Sequence, residues 1–178
     1  MATTTALLII DAQNGVIGSA YEKERVLENV KTLLTQARER GIPVVYVQHE
    51  DSWMERGSEE WQIDSSIAPR EGEPIVYKQS PDSFHDTTLQ DVLQEQSIKH
   101  LVIVGAQTNY CVDTTTRRAL SMGYDVTLVG DAHTTEDSGV LTAAQIIAHH
   151  NHTLDNFWAG EHRAQVKVTS EITCARMR

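Results

Sequence analysis

The sequence predicts an α/β fold, a three-layer α-β-α sandwich around a mostly parallel six-stranded sheet. Two observations predict it. Apolar runs of strand character alternate with amphipathic helical segments along all 178 residues, the pattern of successive βαβ units. The stretch from Leu101 to Ala132, LVIVGAQTNYCVDTTTRRALSMGYDVTLVGDA, reads by itself as strand, helix and strand. The length suits one domain, residues 1–178, with its own core.

Composition removes several classes of function. Apolar residues make up 40% of the chain, ordinary for a globular domain. A formal charge of −10 argues against nucleic acid or an anionic membrane as partner. The run Ala6 to Ile10 is too short for a signal peptide or a membrane span, and no basic segment precedes it. The two cysteines, Cys111 and Cys174, do not form a disulfide framework and, with no leader, fit a reducing cytoplasm. No repeat and no low-complexity segment stands out.

The first element, Ala6 to Ile10, is continuously apolar, the mark of a strand buried on both faces. It ends on Asp11, at the edge where open α/β sheets hold ligands, although an aspartate there more often merely ends a strand. Glu22 to Arg40 places Val26, Val30, Leu33, Leu34 and Ala37 on one helical face, stopped by Gly41 and Pro43. Val44 to Val47 is the second strand, leading to Gln48 and His49. His49 either lines a site or sits in a solvated loop. No histidine forms a ligand pair with it at short spacing, and no metal or other cofactor is expected. The cluster His149, His150 and His152 falls at a helix end, where cations suit the dipole.

Residues 50–73 carry eight acidic residues against two arginines, which places six of the ten net negative charges there. Structureless loops of this length are usually functional or disordered, and Trp53 and Trp61 argue against disorder. The segment reads as a lid or subunit contact, or else as a solvated acidic loop. Ile75 to Tyr77 is a short strand ending on Lys78, which is either a surface charge or a partner for Asp11. Thr87 and Gln90 fit a capping box ahead of a helix with Leu89, Val92 and Leu93. In the central unit a helix opens near Asn109 with Cys111 in its first turn. Unpaired N–H groups and the positive dipole end favour the thiolate there, though a lone cysteine is as often a small core residue. Thr134 to Asp137 supplies an acidic start for a helix with Val140, Ala144, Ile147 and Ala148 on one face. Ala164 to Thr169 reads as a final edge strand.

Asp11, Lys78 and the Cys111 turn all lie where parallel strands finish. A thiol attacking an amide needs a base, donors for the tetrahedral oxyanion and a balancing cation. Asp11, turn amides and Lys78 can fill these roles. One tension is geometric: in a 3-2-1-4-5-6 strand order Lys78 must reach back across the sheet to meet Asp11.

Three blocks resemble the isochorismatase-like cysteine hydrolases: the strand ending Asp11-Ala-Gln13; Lys78 with Ser83-Phe84, Thr88 and Leu89; and Gly105-Ala-Gln-Thr108-Asn-Tyr-Cys111-Val112 with Thr115, Arg117, Ala119, Gly123 and Asp131. The resemblance covers nearly the whole chain and implies an isochorismatase-like, Rossmann-like fold. It implies a Cys-Asp-Lys triad of Cys111, Asp11 and Lys78, a cis peptide before Gln107, and an oxyanion hole from the backbone N–H groups of Gln107 and Cys111. Substrate-lining positions are expected at Gln13, His49, Phe84, Tyr110, Trp53 and Trp61. The Asp-x-His metal pair of the nicotinamidase members is broken, because Val47 stands at the aspartate position before His49. True isochorismatases typically lack the cysteine, so Cys111 favours cleavage of an amide, lactam or carbamoyl C–N bond of a small molecule through a thioester. The acidic segment suits a cationic substrate, and Ala148 to Leu154 resembles the streptothricin-hydrolase branch. Homo-oligomers, dimer or tetramer, are common in the family. Two other readings stay open: a vinyl-ether hydrolase with Asp11 as acid, and a non-catalytic member that binds a ligand or senses oxidants through Cys111.

Overall fold

In the computed structural model, which describes residues 4–172, a single twisted sheet runs in the order β3-β2-β1-β4-β5-β7-β6. Its strands are β1 (Thr5–Ile10), β2 (Val44–His49), β3 (Ile75–Lys78), β4 (His100–Ala106), β5 (Asp125–Thr134), β6 (Trp158–Ala159) and β7 (His162–Lys167). Every pairing is parallel except that of β6 with β7. The sheet therefore has seven strands and not six. The added strand is a two-residue antiparallel partner of β7, too short to leave a pattern in the sequence. The final long strand also begins two residues earlier than the alternation from Ala164 suggests.

β1 lies at the centre because every one of its residues is buried. Its alternating side chains divide between two cores. Ala6, Leu8 and Ile10 join Leu89 and Leu93 of α3 (Leu89–Glu95) and Ala119 and Leu120 of α4 (Asp113–Ser121) on one face. Leu7 and Ile9 join Val26, Val30, Leu33, Leu34 and Ala37 of α2 (Lys23–Glu39) on the other. The apolar spacing of α2 is thus the buried stripe, and each fully buried leucine in it contributes roughly 2 kcal/mol.

Two helix starts differ from the sequence reading. α3 is capped at Thr88, with no side-chain cap bond. The Thr87 hydroxyl donates to the Ser83 carbonyl instead, so no Thr87–Gln90 capping box forms. α5 (Ala143–Leu154) starts well beyond Thr134–Asp137, at a Thr142–Gln145 capping box. β5 runs on to Thr134 because His133 and Thr134 pair with Gly105 and Ala106. Ala143, Ile146 and Leu154 are the buried face of α5, whereas Val140, Ala144 and Ala148 are exposed and Ile147 is half-buried. A four-residue helix, α1 (Asn14–Ile17), follows β1.

Beside the site the β4 backbone at Gly105 lies directly against Ile10 of β1. A Cβ on Gly105 (φ +121°) would stand 2.0 Å from the Ile10 carbonyl oxygen, so only glycine fits there.

Candidate active site

Three strand ends on one edge of the sheet, those of β1, β3 and β4, deliver the ionisable groups. Asp11 follows β1 with φ 46°, a left-handed conformation that aspartate tolerates better than most residues. Lys78 ends β3, and its side chain passes the end of β2 to reach Asp11: Nζ lies 2.6 Å from Oδ2. The strand-order tension is resolved by this reach. Both side chains are at most 1% exposed. Cys111 arrives from β4 through a π-helical turn, Thr108–Val112, that runs directly into α4. π-helical turns of this kind recur at functional sites. The Ala106–Gln107 peptide at its entrance is cis.

Lys78 Nζ is the hub. It meets Asp11 Oδ2, donates to the Ser80 carbonyl at 3.0 Å and to Cys111 Sγ at 3.2 Å, and lies 3.2 Å from His49 Nδ1. Asp11 Oδ1 is buried with no nitrogen or oxygen partner among the described residues, and the carboxylate acts on the thiol both by charge and as a hydrogen-bond acceptor. Burial first, and the charge of Asp11 second, push the Cys111 thiol up to about 12, against the opposing pull of Lys78. The helix N-terminus therefore does not leave a standing thiolate, as its position in the sequence suggests; desolvation and the neighbouring carboxylate outweigh it.

The turn bearing Cys111 rests on His133, which is buried at the end of β5. Its Nδ1 is 2.8 Å from Thr108 Oγ1 and its Nε2 2.8 Å from Asn151 Oδ1. Asn151 Nδ2 donates to the Gly130 carbonyl, which fixes the amide and makes His133 an Nε2–H donor. Burial pushes this imidazole down to about 4. The loop after Lys78 is tied to the same helix, because Ser83 Oγ and Thr115 Oγ1 are 2.8 Å apart and buried. That contact joins two of the sequence blocks in space.

Residues 50–73 form a strap fastened at both ends. Near the site, the backbone around Gln13 pairs with Glu60, Gln62 and Ile63. The Gln13 amide donates to the carbonyls of His49 and Trp61 and accepts from the His49 N–H. At the far end Arg38 makes a two-pronged contact with Glu73 at 2.8 Å, and Tyr46 Oη donates to the Ile67 carbonyl. The acidic segment is thus a docked element and not a free loop.

The substrate-lining candidates are placed unequally. Gln13 is fully buried and its amide holds the strap. His49 touches Lys78. Trp61 stacks on Tyr77 at 5.9 Å, while Trp53 is 90% exposed and Tyr110, next to Cys111, is 56% exposed. Phe84 is packed into the core against Tyr124. Beside Lys78 opens a polar cleft of about 470 Å³ between Glu50, Tyr77, Gln79, Ser80, His85 and Asp86. Sequence reading missed Ser80, Asp51 and His133. Only His133 left a signal, as a histidine just past an apolar strand. Among the described residues, no three His, Cys, Asp or Glu side chains are grouped to hold a metal ion, and no helix is long and apolar enough to cross a membrane.

The Isochorismatase domain family matches residues 5–151. The chain belongs to the isochorismatase family. The secreted isochorismatase effector Isc1 of Verticillium dahliae is 34% identical over 80% of this chain and 79% of its own. A streptothricin hydrolase of Streptomyces noursei is 33% identical over 74% of this chain, which spans only 55% of that relative. The crystal structure of an isochorismatase from Pseudomonas putida superimposes with a TM-score of 0.88 at 30% identity, covering 96% of this chain and 90% of that one. The α/β architecture is accordingly that of the isochorismatase family.

Proposed function

We propose that this member of the isochorismatase family is a cysteine hydrolase that cleaves an amide, lactam or carbamoyl C–N bond of a small molecule through a thioester. The observation that carries this reading is the contact of Cys111 Sγ with a lysine that is itself held by a buried aspartate. Because the thiol keeps its proton in the free protein, Asp11 takes it as sulfur attacks the carbonyl carbon. Lys78 balances the charge on Asp11 and then on sulfur. The backbone N–H groups of Gln107 and Cys111 receive the oxyanion. The proton on Asp11 passes to the leaving nitrogen as the tetrahedral intermediate collapses. Water then enters, Asp11 takes its proton, and the thioester is hydrolysed to acid and free thiol. No cofactor enters these steps.

A cationic substrate such as streptothricin fits the acidic group Asp86 beside the cleft, and a named streptothricin hydrolase is among the relatives. A thiol nucleophile works best where thiols stay reduced, so we place the protein in the cytoplasm even though Isc1 is named as secreted. A homo-oligomer, dimer or tetramer, is proposed as the working form, with Trp53 available to a neighbouring subunit.

The test is mass spectrometry on a panel of amides, lactams and carbamoyl compounds, cationic members included, with the unaltered protein beside Cys111→Ala. Product confined to the unaltered protein, with at least about 10⁴-fold loss in the variant, supports the reading. Equal turnover by both proteins overturns it in favour of the Asp11-centred vinyl-ether hydrolase. No turnover, with ligand binding or reversible oxidation of Cys111, favours the non-catalytic member.

A further inference from the structure

An ammonium group has three N–H donors, yet Lys78 Nζ has four acceptors around it. Asp11 Oδ2 at 2.6 Å and the Ser80 carbonyl at 3.0 Å take two protons. Cys111 Sγ and His49 Nδ1, both at 3.2 Å, compete for the third. The winner depends on the state of the sulfur. A neutral thiol is a weak acceptor and an imidazole nitrogen a good one. A thiolate, charged and adjacent to a cation, is stronger than either.

His49 is prepared for this role from its other side. Asp51 Oδ2 lies 3.2 Å from His49 Nε2, which puts the ring proton on Nε2 and leaves Nδ1 as an acceptor. Asp51 is in turn held by the N–H groups of Trp53 and Met54 at 2.8 and 2.9 Å. The ionisable groups around the pair are Asp11 from β1, His49 from β2, Asp51 and Glu50 from the strap and Lys78 from β3. Glu50 is occupied by Arg56 at 2.8 Å.

We propose that His49 is a positioning residue that holds the third Lys78 proton while Cys111 is a thiol and yields it to sulfur as the thiolate forms. The His49–Lys78 bond then exists mainly in the thiol state and raises the proton affinity of the nucleophile. The strap, through Asp51, sets the strength of that hold. The inference rests on the cysteine-hydrolase reading for its purpose. Its test needs no substrate, so a protein that hydrolyses nothing in the panel still decides it.

The experiment measures alkylation of Cys111 by iodoacetamide at about pH 8, in a Cys174→Ser background so that one thiol remains. His49→Leu and His49→Asn are compared, with circular dichroism as the check of fold. Leucine and asparagine are similar in size and branch at the same carbon, but asparagine places an oxygen where Nδ1 stood. His49→Leu is expected to react about three- to tenfold faster than the unaltered protein, which corresponds to a thiol pKa lower by about half a unit to one unit. His49→Asn should stay within about twofold of the unaltered protein. Equal acceleration in both variants means only wider access and overturns the proposal, as does a slower or unchanged His49→Leu. Should His49→Leu not fold, ¹⁵N shifts of the His49 ring in the unaltered protein decide: a protonated Nε2 with Nδ1 accepting supports the proposal, and a protonated Nδ1 overturns it.

Discussion

Asp11 and Lys78 are both withdrawn from water, so their contact at 2.6 Å replaces hydration that neither can recover. Replacing such a pair by apolar groups is often tolerated, but stranding one charge is not. Asp11→Asn should therefore cost about 3–5 kcal/mol of stability in urea unfolding. The double change Asp11→Asn with Lys78→Met, which keeps a residue suited to the left-handed backbone at position 11, should restore most of it while remaining inactive. This charge pair was legible in the sequence because apolar runs announce where buried strands end, and Asp11 and Lys78 are the first charged residues past two such ends. Cys111 and His49 were named as well, but the Ser80 and Asp51 contacts and the pairing of His49 with Lys78 were not legible. Ser80 contributes a backbone carbonyl, which every residue type possesses. His49 becomes a partner of Lys78, and Asp51 a partner of His49, only once β2 lies between β1 and β3, a neighbour relation that no local pattern encodes.

Among the elements, the π-helical turn depends most on a residue that does no chemistry in the proposed reaction. His133 clamps Thr108 at one ring nitrogen and Asn151 of α5 at the other. It is neutral in the fold and held down to about 4 by burial. In the unfolded chain an imidazole protonates near 6.5. Between those values the unfolded state binds the extra proton, so stability rises with pH across the window and is lost on acidification, at about 1.4 kcal/mol per pH unit. From pH 7 to pH 5 the loss should be about 2 kcal/mol in urea unfolding, and His133→Gln should flatten that slope. The same region shows why the start of α5 was misread. Thr134 to Asp137 has the composition of a helix N-terminus, but pairing of His133 and Thr134 with β4 draws that stretch into the sheet. The true signal, Thr142 followed by Gln145, was present and masked by the acidic cluster before it.

Across the whole molecule, the apolar residues that the fold leaves outside are informative. Val140, 88% exposed, and Leu141 precede α5, and on the helix the exposed Ala144 and Ala148 with half-buried Ile147 form an apolar face that lines an open cleft beside Tyr21, Glu22, Arg25 and Val26. The helical spacing that suggested a buried stripe was real as a pattern. It faces outward because Ala143 and Ile146 already fill the inner side. Such a face suits self-association. Ile147→Lys should lower the mass of the proposed oligomer toward that of a single 19.9 kDa chain in sedimentation velocity. The sheet itself was readable because its alternating elements are long. Only β6, two residues held by its hairpin partner, fell below what periodicity can register.

A parallel sheet has two ends with unequal obligations. The carboxyl ends of β1, β3 and β4 carry Asp11, Lys78 and the Cys111 turn, and one end of the strap is docked there beside Gln13. The opposite rim, where β2, β4 and β5 begin, is turned by Gly41, Ser97 and Gly123, none of which touches the cluster. Gly41 itself is kept to glycine by its left-handed backbone (φ +66°), but apart from its chain neighbours nothing lies within 4 Å of where a Cβ would stand, so the rim around it is open. That rim is the natural place to fasten this molecule to a surface, a dye or another protein, because whatever is attached there faces away from the chemistry.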